Sequence, residues 1–256
     1  MLLLEQKVDD LLVYVFETRE EMGRAAAKAV ADQIRTLIEK KGEANVIFAA
    51  APSQSDMIKA LLDEELDWTK VRGFYQDEYI GLDSAHPAGF ANFLRRHIWD
   101  LKPFKSVHSL ECSVEDADEK MAEYAALLTK YPPDVMLLGV GENGHLAFND
   151  PPYADFDDPK SIKAVALDLT SRQQQVNDGC FTALNEVPTH AMTLTMSLIL
   201  NVPYVVAVVP TKLKANAVDT AINGPITADC PASALRIHKD AKLYLDRDSA
   251  GKGLKL

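Results

Sequence analysis

The sequence predicts an α/β sandwich built around a mostly parallel sheet, in one domain spanning 1–256. Three observations predict it. Short apolar runs alternate with longer amphipathic ones along the chain. Asp134–Val140 is almost wholly apolar after its first residue, as a strand buried on both faces requires. No Gly/Ser-rich linker, low-complexity stretch or repeat of about 20–50 residues divides the chain.

In order, Leu12–Phe16 reads as a strand, and Arg19–Lys40 carries Ala, Val, Ile and Leu at helical spacing. Asn45–Ala51 is a second strand, followed by a helix from Gln54 to Glu65. Val71–Tyr75 is a third, and Pro87–Trp99 reads as helical. A short strand at Val107–Leu110 precedes an acidic helix, Val114–Lys130. After Asp134–Val140, further strands are expected at Ser161–Leu169, Tyr204–Pro210 and Lys242–Asp246, with helical stretches between them. In such sheets ligands sit outside the carboxyl ends of the strands, so the residues just after each strand carry the functional interest.

Composition narrows the function classes. With 47% hydrophobic and 25% charged residues, the chain is neither disordered nor collagen-like. A net charge of −11 argues against electrostatic capture by nucleic acid or an anionic membrane. An anionic ligand must therefore be held by a local pocket. Cys112, Cys180 and Cys230 are odd in number and lack C-x-x-C spacing, which points away from a disulfide framework or structural zinc and toward a reducing compartment. The scattered histidines show no metal-binding spacing. The opening apolar run meets Glu5, Lys7, Asp9 and Asp10 at once, so no signal peptide or membrane span is expected and the location read is cytoplasmic.

Gly139-Val140-Gly141-Glu142-Asn143-Gly144 follows a strand and matches G-x-G-x-x-G. A dinucleotide fingerprint must open a long helix whose N-terminus holds the pyrophosphate. Here the chain instead runs into Pro151-Pro152. The glycines read better as a backbone turn, and no nicotinamide cofactor is expected. The same loop puts one imidazole, His145, and two carboxylates, Glu142 and Asp150, within nine residues. Histidine passes protons near neutrality, and a carboxylate such as Asp150 can fix its tautomer.

LGVGENGHLAFNDPP, residues 138–152, resembles the signature of the glucosamine-6-phosphate deaminase family, G-x-G-x-[DN]-G-H-[IL]-[AG]-F-N-E-P. Asp77-Glu78-Tyr79-Ile80-Gly81-Leu82 with His86-Pro87 is similar to a second family motif, and Lys214-Ala215 with Ala221-Ile222-Asn223-Gly224 to a third, weaker one. The likeness covers nearly the whole chain. It implies a Rossmann-like three-layer sandwich and a reaction needing neither metal nor cofactor. An amino-sugar 6-phosphate ring opens, a proton moves from C2 to C1, and ammonia is lost to leave a ketose 6-phosphate.

The resemblance implies roles residue by residue. Asp77 stands where the family has its C1/C2 proton-shuttling carboxylate, and His145 where it has the ring-opening acid/base. Asp150 stands where a Glu orients that histidine, and Asn143 where several members carry Asp. Asp150 is one methylene shorter than Glu, so it is expected to reach His145 only if the loop shifts. Asn143 cannot exchange a proton and is left to position groups by hydrogen bonds. Lys214 corresponds to the phosphate lysine, and Gly141 belongs to the substrate-binding set.

For the phosphate, two strand-to-helix turns are candidates: Ser53, Gln54 and Ser55, and the stretch from Thr211 to Lys214. Two departures stand out. Ser53-Gln54-Ser55 replaces a Gly-Gly-Thr loop, and Gly179 occupies the place of a phosphate-binding arginine. Arg172, seven residues earlier, is the substitute the sequence suggests. Loss of that guanidinium matters because arginine is the residue suited to bidentate phosphate recognition. Three alternatives stay open at this stage: a 6-phosphogluconolactonase-type hydrolase, an isomerase for the galactosamine epimer, and a sugar-phosphate sensor without turnover. A small-molecule sugar phosphate is the expected partner, and a homo-oligomer is compatible with the sequence.

Overall fold

The computed structural model describes residues 1–251, 253 and 254. In chain order, strands β1 (Leu2–Val8) and β2 (Leu11–Phe16) lead into helix α1 (Arg19–Lys41). Strand β3 (Ala44–Phe48), helix α2 (Ser55–Leu62), and strands β4 (Val71–Tyr75) and β5 (Asp77–Tyr79) follow. Helix α3 (Phe90–Leu94) continues as a π-helical turn, Arg95–Trp99, before β6 (Ser106–Val107), α4 (Ala117–Lys130) and β7 (Val135–Leu138). The remainder is β8 (Ile162–Ala166), α5 (Leu169–Asn177), β9 (His190–Leu194), α6 (Met196–Asn201), β10 (Tyr204–Val209), α7 (Ala215–Asn223), β11 (Ala241–Asp246) and α8 (Arg247–Ala250).

The main sheet has eight strands in the order β1-β2-β11-β10-β7-β3-β4-β6. Every pairing in it is parallel except that of β1 with β2. The interior strands β3, β4, β7 and β10 are buried along their whole length; β7 and β10 read as unbroken apolar runs for that reason, while β3 and β4 each carry one buried polar residue, Asn45 and Arg72. Helix α1 lays Met22, Ala26, Ala27, Val30, Ala31 and Ile34 on the sheet at helical spacing. Thr18 caps its start by accepting from the Glu21 N–H, and Gly42, at φ 85°, ends it.

The mostly parallel α/β architecture is the one the alternation predicts, with two corrections. Ser161–Leu169 supplies β8, but this strand does not join the main sheet. It pairs antiparallel with β9, which in turn pairs antiparallel with β5, making a separate three-stranded sheet. The stretch between 169 and 204, expected to be helical, therefore contains a strand. Strand β1 was not expected at all: its Glu5, Gln6 and Lys7 are exposed on an antiparallel edge, so no apolar alternation announces it. The small sheet positions the site, because β5 begins with Asp77 two residues past the end of β4.

Candidate active site

The carboxyl ends of β3, β4, β7 and β10 open onto one cleft. Each strand contributes the residues that follow it: Ala49–Ser53 after β3, Gln76 and Asp77 after β4, Gly139–Gly141 after β7, and Pro210, Thr211 and Lys214 after β10. Helix α5 closes one wall with Gln174 and Gln175, and Arg19 at the start of α1 closes another.

Asp77 is half-buried by exposed area, yet its carboxyl is densely surrounded. Burial, and next the charge of Glu78, pushes it up to about 8. Its neighbour Glu78 is turned inward and accepts from the backbone N–H groups of Phe90 (3.2 Å), Ala91 (2.9 Å) and Tyr79 (3.0 Å). Glu78 thus pins the start of α3 beneath the site, and the pair is not an exposed turn.

His145 is buried, and its Nδ1 lies 3.0 Å from Asp150 Oδ1. The shorter carboxylate reaches the ring, with help that the sequence reading missed. Ser171 of α5, fully buried, donates to Asp150 Oδ1, and its Oγ lies 3.1 Å from His145 Nδ1. Asn143 Nδ2 donates to the same carboxylate oxygen at 3.1 Å, and Asn143 Oδ1 accepts from the His145 N–H at 3.1 Å. Burial alone would raise the Asp150 carboxyl, but the hydrogen bonds and charge of His145, with Ser171 and Asn143, hold it at about 2. Asp150 is therefore a fixed anion that keeps a proton on Nδ1 and leaves Nε2, which has no partner among the described residues, to exchange with a ligand.

The loop that carries His145 depends on two glycines. A Cβ on Gly141 would stand 2.2–2.4 Å from the imidazole, so the ring packs directly against bare backbone. Gly144 takes φ 85°, and a Cβ there would meet Cys230 Sγ at 2.7 Å. No helix opens after these glycines; the next, α5, begins at Leu169. The G-x-G-x-x-G spacing serves the turn.

The residues read as phosphate contacts separate. Ser53 and Lys214 line the cleft. Lys214 is buried, and its ammonium has no ion pair or hydrogen bond among the described residues. Burial pushes its pKa below the usual lysine range, against the pull of Asp178 and Glu142. Gln54 is fully buried and spans two strand ends, donating from Nε2 to Val208 O at 3.0 Å and to Ser53 Oγ at 3.1 Å. Ser55 starts α2 and is not on the cleft wall. Arg172 is not on the wall either: its Nη2 donates to Leu184 O and Val187 O, both at 2.8 Å. Arg19 is the cation that the sequence reading passed over. It pairs with Asp56 and donates from Nη2 to Pro52 O at 2.6 Å, bracing the loop after β3. Applying the after-the-strand rule to β2 would have found it; nothing in the sequence singles out Ser171.

Fold and site together define an α/β protein with an acid–base cleft at the carboxyl edge of a parallel sheet. The chain belongs to the family described as glucosamine-6-phosphate isomerases/6-phosphogluconolactonase, whose model matches residues 17–244. It is 28% identical over 233 residues to a glucosamine-6-phosphate deaminase of Streptococcus sanguinis, covering 91% of this chain and 95% of the relative. It is 32% identical over 219 residues to one from an Exiguobacterium species, covering 86% and 84%. A solved structure of a monomeric glucosamine-6-phosphate deaminase superposes with a TM-score of 0.84 at 27% identity, covering 93% of this chain and 98% of that one. A 6-phosphogluconolactonase from Trypanosoma brucei, 18% identical with a TM-score of 0.77 and covering 96% and 98%, shares the fold. Among the described residues, no helix is long and apolar enough to cross a membrane.

Proposed function

We propose that this chain is a glucosamine-6-phosphate deaminase, converting the amino sugar and water to a ketose 6-phosphate and ammonia. The observation that carries the reading is one cleft holding a carboxyl poised near neutrality, Asp77, and a histidine whose Nδ1 is fixed by Asp150 and Ser171. These are the two proton-handling groups that aldose–ketose chemistry requires. The relatives that carry the deaminase name support it.

In this mechanism His145 Nε2 moves the proton between the ring oxygen and O1 as the sugar opens. Asp77, ionised, takes the proton from C2 and returns it to C1, leaving an imine at C2 that water hydrolyses to the ketone and ammonia. Asp150 stays ionised throughout and steadies the imidazolium. Lys214 and Ser53, on the same cleft wall, hold the phosphate, with Arg19 fixing the loop that carries Ser53. Asn143 orients the carboxylate and does not exchange protons. The free cysteines Cys112, Cys180 and Cys230 suit a reducing cytoplasm.

The test is ammonia and ketose-phosphate release from glucosamine 6-phosphate, with the galactosamine epimer and 6-phosphogluconolactone run alongside. Turnover of the first substrate above the other two is expected. Lactone hydrolysis without ammonia release from either amino sugar would overturn the reading.

A further inference from the structure

Thr211 follows β10 and lines the cleft. Its backbone sits at φ 80° and ψ 149°, a region that glycine enters freely and that a β-branched side chain enters only under strain. Among the described residues, the other non-glycine positions with positive φ, Asp9 and Ala147, are both at 51°, near the ordinary left-handed value. The fold holds Thr211 in place with a buried carboxylate. Both oxygens of Asp246 accept from its N–H, at 3.2 and 3.0 Å. Asp246 is held in turn by the Ser249 N–H at 2.7 Å, at the start of α8.

A glycine at this position would release the strain, yet the chain keeps a hydroxyl on the cleft wall. The hydroxyl makes no hydrogen bond among the described residues. Three residues on stands Lys214, buried and without an ion pair. Arg19 spends Nε on Asp56 and Nη2 on Pro52 O, and Arg172 stands off the cleft wall with Nη2 on Leu184 O and Val187 O. An anion beside Lys214 calls for further hydroxyl donors besides Ser53, and Thr211, on the same wall, is placed to supply one. Resting on the sugar-phosphate reading of the cleft, we propose that Thr211 is a phosphate-binding residue whose hydroxyl is held toward the ligand by a strained backbone locked through Asp246.

The experiment compares Thr211→Gly, Thr211→Ala and Thr211→Ser with the native chain. Melting is followed without ligand, binding of inorganic phosphate by calorimetric titration, and kcat and KM with glucosamine 6-phosphate. Thr211→Gly is expected to melt about 2–4 °C higher, since the strain released exceeds the entropy that glycine adds to the unfolded chain. The same variant should bind phosphate about tenfold more weakly and raise KM in step, the loss expected for one hydrogen bond to a charged group. kcat should stay within about twofold because the proton-handling groups are untouched. Thr211→Ala should lose the same affinity with a smaller gain in melting temperature, and Thr211→Ser should keep the affinity within about twofold. A Thr211→Ala variant that binds phosphate as tightly as the native chain, or a Thr211→Gly variant that melts no higher, would overturn the proposal. If the native chain binds phosphate but releases no ammonia, the deaminase reading fails while the binding comparison still decides the role of Thr211. A native chain that binds no phosphate overturns the assignment of Thr211, and ammonia release still decides the deaminase reading.

Discussion

Asparagine in place of Asp77 is expected to abolish turnover and to stabilise the fold at the same time. Burial and the Glu78 charge raise the Asp77 carboxyl from 3.8 to about 8. The folded chain therefore keeps a proton that the unfolded chain releases. Across the window from about pH 4 to pH 8 the native state binds more protons, so stability is greatest below it and falls as pH rises through it. At 1.36 kcal/mol per unit, a shift of roughly four units corresponds to on the order of 5 kcal/mol lost by pH 8. Asparagine is nearly isosteric and carries no charge, so Asp77→Asn escapes the loss. Urea unfolding at pH 5 and pH 8 measures this directly. The advantage of the variant should widen by about 4 kcal/mol between those values, three units at 1.36 kcal/mol each. Turnover should fall by about 10²–10⁴-fold, the usual contribution of a general base. For the native enzyme, kcat/KM should rise about tenfold per unit below pH 8 and level above it, because the base must be ionised to act. An equal stability gap at both pH values would refute the assigned environment of Asp77, and substantial turnover by Asp77→Asn would refute its role.

Other perturbations probe the rest of the cleft. Ser171→Ala removes the hydroxyl shared by His145 and Asp150 and should lower kcat about tenfold with KM little changed, read in steady-state kinetics. Gly141→Ala forces a Cβ to within 2.2–2.4 Å of the imidazole, so the ring must move. That variant should lose at least about 100-fold in kcat and melt lower, as kinetics and calorimetry would show. Lys214→Met removes a buried ammonium without an ion pair, so KM should rise about 10–100-fold while the melting temperature does not fall.

Most of the main sheet was legible because its central strands are buried on both faces and so write themselves as apolar runs. The small antiparallel sheet was not. Its strand β5 is only three residues, Asp77–Tyr79, and β9 is a five-residue run, His190–Leu194, too short for periodicity to separate strand from helix, although Asn177-Asp178-Gly179 and Pro188 mark breaks before it. The loop from Gly139 to Asp150 was legible as chemistry because reactive side chains and special backbone positions sit together in sequence. The partners that complete it were not, since Ser171 arrives from α5, 26 residues beyond His145, through tertiary packing alone. Arg172 shows the converse. Its type suited a phosphate, but it stands off the cleft wall with its Nη2 donating to the carbonyls of Leu184 and Val187. Gln54 likewise stands in the right loop with its side chain turned into the sheet.

If Asp77 carries a proton between C2 and C1 of an amino-sugar phosphate, glucosamine 6-phosphate deuterated at C2 reports the transfer itself. Ammonia release is expected, at a slower rate than with the unlabelled sugar, with part of the deuterium at C1 of the ketose phosphate. Release of no ammonia, or turnover indifferent to the label with no deuterium reaching C1, would contradict that role of Asp77.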